Sequence, residues 1–248
     1  MKTYMYGKHA VGEALAYRPD VVTELYFARQ ADSIEELRTL AEKAGIKVRP
    51  FNMNEPPKEV EPHAVHQGVV ATIDTARLLV SFDTFLHGLL VDEHTALVVL
   101  NELQDPQNVG AIIRSSAGFG IAGILIPPHD QAQVGGAVIK VSAGTAFRVP
   151  LVEISNVNSN LRTLKDKGFW IYGLTGKGDR SIYEEVFDAP AVFVLGNEAK
   201  GIREKTLEVC DFQLLIPLHE QCESLNVAVA GAVVLSTWSF AHPSALKK

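Results

Sequence analysis

Polar side chains follow three apolar stretches in the C-terminal half of the sequence. QDPQNVG comes after ALVVLNEL, GNEAKG comes after AVFVL, and HEQCESLN comes after FQLLIPL. Their amide, carboxylate and hydroxyl groups, on Asn108, Glu198, Ser224 and Asn226, can hydrogen-bond to a small ligand and orient it. Because ligands in open α/β sheets bind beyond the carboxyl ends of the strands, these three loops mark the predicted site.

The sequence lacks the motifs of several common enzyme classes. It has no GxGxxG string between a strand and a following helix, as a dinucleotide-binding loop requires, and no GxxxxGK[ST] phosphate-binding loop. It has no GxSxG elbow, and His219 is poorly placed, five residues before Ser224, to activate that serine. These observations argue against Rossmann oxidoreductases, kinases and serine hydrolases.

Composition indicates an ordinary globular protein of 248 residues, 47% hydrophobic and 21% charged. The formal net charge of −6 argues against a protein that coats nucleic acid indiscriminately, but it permits a local basic groove. Cys210 and Cys222 do not form a disulfide framework, and no Cys/His cluster has metal-binding spacing. No apolar run reaches the roughly 20 residues of a membrane span, and no secretion signal is visible. We therefore expect a cytoplasmic protein without a metal site.

The alternation of helix and strand patterns predicts two α/β parts. Residues 1–74 combine helices at VGEALAY and SIEELRTLAEKAG with strands at VTELYFA, IKVRPF and HQGVVATI. Residues 75–94 carry one short helical stretch, FDTFLHGLL, and are predicted to be a linker. Residues 95–248 alternate apolar strands with helices, which predicts a parallel sheet covered on both faces. Its five strands are ALVVLNEL, GILIPP, FWIYGLT, AVFVLGN and FQLLIPL.

The first polar loop leads into a predicted helix, PQNVGAIIRSSAGFG. Pro106 suits its first turn, and apolar residues from Val109 to Ala117 form the predicted buried stripe. Arg114 lies on another face, so packing does not require an arginine there.

The three loops and their flanks resemble the motifs of the SpoU (TrmH-like) 2′-O-ribose RNA methyltransferases of the SPOUT superfamily. NELQDPQNVGAIIRSSAGFG resembles the first motif, VFVLGNEAKGI the second and IPLHEQCESLNVAVAGAVVL the third, in the expected order and separation. The N-terminal part, ending AVHQGVVA, is similar to the RNA-substrate-binding domain of the RlmB-like subgroup, so the resemblance covers nearly the whole chain. It implies a C-terminal parallel-sheet domain with a deep trefoil knot, preceded by a small α/β RNA-binding domain. It also implies S-adenosyl-L-methionine as methyl donor, no metal, and a homodimer whose active site lies at the subunit contact.

The resemblance assigns roles to particular residues. The expected catalytic residues are Asn108, Arg114, Glu198, Ser224 and Asn226. The expected cofactor-binding residues are Thr175, Gly176, Leu195, Gly196, Ile216, Leu218 and Leu225. Recognition is expected to use mostly backbone groups, with Gly196 letting the chain approach the ligand where a Cβ would obstruct it.

Arg114 has two possible roles under this resemblance. The family suggests that it activates the ribose 2′-hydroxyl, in some descriptions as general base. Because an arginine pKa above about 12 makes a neutral guanidinium costly, a charged group that grips a phosphate, orients the ribose and stabilises the developing alkoxide is physically easier. Glu198 is expected to orient Asn108, Arg114 or the ribose. Ser224 either faces the reacting centre, caps the following helix, or does both.

Two positions depart from the family pattern, and several polar residues are candidates for RNA contact. Asn197 and Ala228 stand where the family often has a small residue and a serine, respectively. The small apolar helix VAVAGAVVL is expected to pack against a second subunit. Lys200 is either a phosphate contact or a solvated lysine. The other candidates for RNA contact are Lys8, His9, Arg29, Lys140 and Arg148.

The predicted function is S-adenosylmethionine-dependent 2′-O-methylation of ribosomal RNA, with a guanosine in the large-subunit (23S) rRNA as the best target. Two alternatives stay open. One is the same reaction on tRNA, and the other is a non-catalytic RNA-binding or ribosome-assembly factor with the same fold.

Overall fold

The computed structural model describes residues 2–29, 34–57, 60 and 65–246. The strands are β1 Lys2–Tyr6, β2 Val22–Ala28, β3 Val48–Phe51, β4 Val69–Asp74, β5 Leu79–Ser81, β6 Ala96–Leu100, β7 Gly123–Ile126, β8 Leu151–Glu153, β9 Trp170–Leu174, β10 Arg180–Ser181, β11 Ala191–Leu195 and β12 Phe212–Leu215. The helices are α1 Lys8–Tyr17, α2 Glu35–Lys43, α3 Phe82–Gly88, α4 Pro106–Gly118, α5 Gly136–Val141, α6 Val157–Asp166, α7 Glu204–Leu207 and α8 Val227–Ala241. In this described part, no helix is both long and apolar enough to cross a membrane.

The chain divides into two compact units. One comprises Met1–Leu79 and Val134–Arg148, and the other comprises Val80–Gln133 and Val149–Lys248. The division by sequence into residues 1–74, 75–94 and 95–248 did not anticipate that Val134–Arg148 would group with the N-terminal residues. Sequence patterns detect elements along the chain, whereas this grouping depends on which distant surfaces pack together.

The first unit contains a four-stranded sheet in the order β1-β4-β2-β3. Strand β4 is antiparallel to β1 and β2, and β3 is parallel to β2. The sequence patterns predicted α1, α2, β2, β3 and β4 but not β1. Only Met5 of the five residues in β1 is buried, so no alternation of buried and exposed side chains marks this strand. Part of the Pro-rich loop NEPPKEVEPH lies outside the described residues.

Val134–Arg148 is held in this unit by charged and aromatic contacts. Arg148 forms a bidentate ion pair with the buried carboxylate of Glu13, with 2.6 Å between Nη2 and Oε1, and lies 4.8 Å from the ring centre of Tyr17. The Arg148 hydrogen bond keeps the pKa of Glu13 below its usual value despite burial. Lys140 lies 3.4 Å from the hydroxyl of Tyr6. Two side chains considered for RNA contact therefore have partners within the protein.

The second unit contains an eight-stranded sheet in the order β10-β12-β9-β11-β6-β7-β8-β5. From β10 to β8 every neighbouring pair is parallel. All side chains of the central strands β6 and β11 are buried, as the predicted parallel sheet requires. The five predicted strands are present as β6, β7, β9, β11 and β12. The sequence patterns missed β5, β8 and β10, which have at most three residues each and are too short to show periodicity.

The predicted linker, residues 75–94, includes ordered elements of the second unit. Strand β5 joins the edge of the eight-stranded sheet, and α3 covers most of the predicted helical stretch FDTFLHGLL. Phe82 of this helix belongs to the apolar core, and the partly buried Phe85 packs against that core. The side chain of Phe85 lies so close to Gly123 that a Cβ there would come within 2.5 Å of it. This part of the chain is therefore packed structure.

Candidate active site at the carboxyl edge of the parallel sheet

A cleft lies where β9, β11 and β12 end. These strands are neighbours in the sheet and parallel, so their carboxyl ends meet at one edge. The cleft holds about 750 Å³ of empty space, including the part open to solvent. Its lining residues are Leu174, Thr175, Gly176, Leu195, Gly196, Asn197, Glu198, Gly201, Ile216, Leu218, Glu223, Ser224, Leu225, Val227 and Ala230.

Every residue predicted to bind the cofactor lies in this lining. The set is Thr175, Gly176, Leu195, Gly196, Ile216, Leu218 and Leu225. They lie at the end of three different strands or just after them, and only the order of those strands in the sheet brings them together. Their contact with a ligand stays a prediction.

The two glycines of this set have different physical roles. A Cβ on Gly196 would lie 2.5 Å from the backbone carbon of Gly201 and from the nitrogen of Ile202. Gly196 is therefore required because the chain folds back on itself, and the protein already fills the space that the sequence interpretation reserved for a ligand. A Cβ on Gly176 would meet no atom within 4 Å, so Gly176 is the glycine that leaves open space.

Three of the five predicted catalytic side chains form a continuous hydrogen-bonded row. Asn226 donates from Nδ2 to Oδ1 of Asn108 over 2.9 Å. Asn108 donates from its own Nδ2 to Oε1 of Glu198 over 3.0 Å. Asn108 is buried on α4, Asn226 precedes α8, and Glu198 follows β11, so the row joins the three motif loops.

The direction of this row is set by the N-terminus of α8. Oδ1 of Asn226 accepts hydrogen bonds from the backbone N–H groups of Ala228 and Val229, at 2.9 and 3.3 Å. Because backbone N–H groups can only donate, Asn226 must present its Nδ2 to Asn108. Asn108 then presents its Nδ2 to Glu198. Each amide orientation follows from its neighbour, and the last acceptor is a carboxylate.

Glu198 is held as a carboxylate. Burial raises its pKa, but hydrogen bonds from Asn108 and from backbone N–H groups, including that of Asp105 at 3.3 Å, outweigh burial and leave the pKa below its usual value. Asp105 also accepts a hydrogen bond from the N–H of Gln107 and so caps α4. Glu198 is therefore an acceptor at neutral pH and a weak base.

Ser224 and Arg114 stand outside this row. Ser224 lines the cleft with an exposed side chain, and the capping role considered for it is wrong, because Asn226 caps α8. Arg114 is exposed on α4, opposite the buried Val109, Ile112 and Ile113, as its position in the sequence predicted. Within the described residues its side chain makes no ion pair or hydrogen bond, and it does not line the cleft.

The cleft carries negative charge that the sequence prediction did not include. Glu198 and Glu223 are its charged lining residues, and the lining contains no lysine, arginine or histidine. Leucine, isoleucine and valine side chains form much of the remaining wall. Such a site suits a ligand with an apolar body and a positive charge. In the sequence, the position of Glu223 directly before Ser224 could have indicated this negative charge.

Asn197 is a second lining residue that the sequence prediction noted only as a departure from the family pattern. Its side chain hydrogen-bonds to its own loop and to Glu102 in the first motif.

As for metals, the described residues contain no group of three or more His, Cys, Asp or Glu side chains placed to hold an ion.

Family comparisons agree with the arrangement of the loops. The model of the SpoU rRNA Methylase family matches residues 95–236, which include all three motif loops. The chain belongs to the SpoU methylase family. A second family model, RNA 2′-O ribose methyltransferase substrate binding, matches residues 4–79.

Named relatives of this SpoU chain match it over nearly its whole length. The 23S rRNA (guanosine-2′-O-)-methyltransferase RlmB of Xanthomonas axonopodis pv. citri is 35% identical over 94% of this chain and 94% of its own. The RlmB protein of Vibrio parahaemolyticus is 32% identical with the same coverage of both chains.

Solved structures share the fold of this SpoU chain. The SpoU methyltransferase AviRb of Streptomyces viridochromogenes superposes with a TM-score of 0.79 at 21% identity, covering 98% of this chain and 90% of its own. An AdoMet-bound rRNA methyltransferase of Sinorhizobium meliloti superposes with a TM-score of 0.81 at 20% identity, covering 96% and 86%.

Proposed function

We propose that this protein transfers a methyl group from S-adenosyl-L-methionine to the ribose 2′-hydroxyl of a guanosine in 23S rRNA. The observation that carries the proposal is the hydrogen-bonded row Asn226–Asn108–Glu198, which joins the three SpoU motif loops beside one cleft. The RlmB relatives, whose names give this reaction and this RNA, match 94% of the chain. The AdoMet-bound structural neighbour supports the choice of methyl donor.

The cleft fits the proposed donor. S-adenosylmethionine supplies an electrophilic methyl group on a positively charged sulfur, and it also carries an ammonium group. The apolar wall suits its adenosine and methylene parts, while the carboxylates of Glu198 and Glu223 complement its positive charge. The cofactor-binding roles of Thr175, Leu218 and the other residues of that predicted set are part of this proposal.

Glu198 and Asn108 would position the ribose. An ionised Glu198 accepts hydrogen bonds, so it can hold a hydroxyl group in place. Because its pKa lies below the usual value, it is poorly suited to remove the hydroxyl proton, which would pass to water as the methyl group leaves the sulfur and bonds to the oxygen. Ser224, exposed at the cleft, would contact the ribose or the cofactor. Correct placement of two reacting groups supplies a large part of such an acceleration.

Arg114 would act as a charged group that grips RNA phosphate and stabilises the developing alkoxide. Its guanidinium is exposed and has no partner among the described side chains. A homodimer would complete the site by bringing such an exposed arginine to a subunit contact. Helix α8 supports dimerisation, because Val229 and Phe240 are 50% and 89% exposed on it.

The finer features of the family are part of the same proposal. We propose that the C-terminal domain carries the deep trefoil knot and that the N-terminal unit binds RNA. RNA binding by the N-terminal unit is supported by the substrate-binding family model, which matches residues 4–79. Activity in the cytoplasm, where ribosomal RNA is modified, stays a prediction.

The direct test uses purified protein, methyl-labelled S-adenosylmethionine and 23S rRNA. We expect label on one ribose 2′-oxygen, and we expect the same site to lack its methyl group in cells without the protein. Label on tRNA alone would instead favour the first alternative. Failure to bind S-adenosylmethionine in calorimetry, even with RNA present, would favour a non-catalytic RNA-binding factor.

A further inference from the structure

Asn197 closes the second motif loop on itself. Its Oδ1 accepts hydrogen bonds from the N–H groups of Ala199 and Lys200, both at 3.0 Å. Its backbone N–H and C=O pair with Gly201 at 3.0 and 2.9 Å. Residues 197–201 therefore form a tight closed loop, and Glu198 is one of the residues of this loop.

Asn197 also ties this loop to the first motif. Its Nδ2 donates to the backbone oxygen of Glu102 over 2.8 Å. Glu102 has a left-handed backbone conformation, with φ of +66°, which few residues other than glycine adopt. The carboxylate of Glu102 forms a 2.7 Å ion pair with Arg203, just beyond the same loop. Glu102 is therefore fixed to the second loop mainly by its backbone, because an ion pair to the largely exposed Arg203 side chain adds little.

Glu198 depends on the spacing of these two loops. Its Oε1 accepts from the N–H of Asp105 and from the side chain of Asn108, both of which belong to the first motif. Asn197 directly precedes Glu198 and bridges the same two segments. We infer that Asn197 is a positioning residue. It keeps the second motif loop close enough to the first for Glu198 to accept the hydrogen bond from Asn108.

The hydrogen bonds of Asn197 distinguish positioning from ligand binding. Its oxygen already accepts two backbone hydrogen bonds and its nitrogen already donates one. One N–H of the amide is left for other partners. Although Asn197 lines the cleft, its loss should therefore affect the geometry of Glu198 more than the affinity for a ligand. The expected effect on rate rests on the proposed methyl transfer.

Two substitutions separate the contacts of Asn197. Asn197→Ser keeps a short side-chain acceptor for the loop N–H groups and removes the donor to Glu102. Asn197→Ala removes both. Glu102→Gln is the matched control, because it leaves the Glu102 backbone oxygen in place and weakens only a partly exposed ion pair.

The measurements are single-turnover methyl transfer to 23S rRNA, calorimetric affinity for S-adenosylmethionine, and amide hydrogen exchange without ligand. For Asn197→Ser we expect a rate about tenfold lower and a larger loss for Asn197→Ala, since small displacements of positioned groups reduce rates strongly. We expect the cofactor Kd to change less than about threefold. The amides of Asp105, Ala199 and Lys200 should exchange faster in Asn197→Ala, and Glu102→Gln should resemble the wild type.

Unchanged rate and unchanged exchange at Asp105 in both Asn197 variants would overturn the inference. A large loss of cofactor affinity with a normal saturated rate would also overturn it, because Asn197 would then be a binding residue. If the wild-type protein methylates no RNA, the proposed function fails. The exchange at Asp105 would still decide whether Asn197 holds the two loops together.

Discussion

Asn226 donates a hydrogen bond to the side chain of Asn108 over 2.9 Å, although 118 positions separate the two residues in the sequence. The same Asn226 amide accepts two backbone hydrogen bonds as the N-cap of α8. Its oxygen stabilises a helix, and its nitrogen orients the row that ends at Glu198. These two roles use different atoms, so substitutions can separate them.

Asn226→Asp should remove the orienting role and keep the cap. Aspartate is as good an N-cap as asparagine, so the free energy of unfolding should fall only by the lost hydrogen bond to the buried Asn108, about 1 kcal/mol. The new carboxylate cannot donate to Oδ1 of Asn108, and the rate of methyl transfer should fall by about tenfold or more. The measurements are the single-turnover rate and urea unfolding.

Asn226→Ala is the matched comparison, since it removes both roles. It should reduce the rate similarly, and it should lower the free energy of unfolding by about 1 kcal/mol more than Asn226→Asp does, because the cap is lost as well. Wild-type activity in Asn226→Asp would show that the direction of the row is unimportant for the reaction.

Gly176 and Gly196, which both line the cleft, should respond in opposite ways to added side chains. Gly196→Ala should destabilise the protein by about 1–3 kcal/mol, because its Cβ would overlap the backbone of Gly201 and Ile202. Gly176→Val should leave the melting temperature almost unchanged, because its Cβ meets open space. It should instead weaken calorimetric binding of S-adenosylmethionine by about tenfold or more. Undiminished affinity in Gly176→Val would remove Gly176 from the proposed cofactor site.

Arg114→Ala should reduce methyl transfer by about 100-fold or more if the guanidinium stabilises developing negative charge. Stability should stay within about 0.5 kcal/mol of the wild type, because Arg114 is exposed and unpaired among the described residues. Arg162→Ala, at an exposed position on α6, is the control and should keep full activity. Retained activity in Arg114→Ala would reject the role proposed for this residue.

Acid should destabilise the second unit through His242. Its Nε2 lies 2.9 Å from the backbone oxygen of Phe187, its Nδ1 lies 2.9 Å from Nδ1 of His94, and its ring stacks on Trp238. Burial, aided by the neighbouring His94, lowers the pKa of His242 below its usual value of 6.5. The unfolded chain therefore binds a proton at a higher pH than the folded chain does.

The free energy of unfolding should consequently fall as the pH decreases below about 6.5, by at most about 1.4 kcal/mol per pH unit from this group, until the folded His242 also titrates. Urea unfolding between about pH 7.5 and 5.5 measures the slope. His242→Gln should flatten this part of the profile, whereas the exposed-site variant His219→Gln should retain it. An unchanged slope in His242→Gln would assign the acid sensitivity to other groups.

The two cysteines should differ in reactivity. Cys222 is exposed, whereas burial raises the pKa of Cys210 to about 12. A thiol reagent should therefore modify Cys222 in the native protein and reach Cys210 only after unfolding. S-adenosylmethionine should slow the reaction of Cys222, because Glu223, Ser224 and Leu225 line the cleft. Cys222→Ser should show no fast native reaction, and a fast reaction there would contradict this assignment.

Local patterns were sufficient for much of the fold. The apolar runs in β6 and β11 predicted fully buried strands, and every residue of both strands is buried. The apolar spacing in α4 predicted which face is buried and left Arg114 on the exposed face. These predictions succeed because burial of a strand or helix face depends on periodicity within the element itself. The same rule missed β1, β5, β8 and β10, which are short or show no clear alternation.

By itself, the sequence determined that polar motif loops follow apolar strands, and the family resemblance indicated which of their residues matter. Only the tertiary structure decided which atoms meet: that Asn226 caps α8 while orienting Asn108, that Gly196 packs on its own loop, and that Asn197 joins the second motif to Glu102. The physical reason is that these contacts depend on the order β12-β9-β11-β6 in the sheet. That order results from packing between segments far apart in the chain, which no local pattern records.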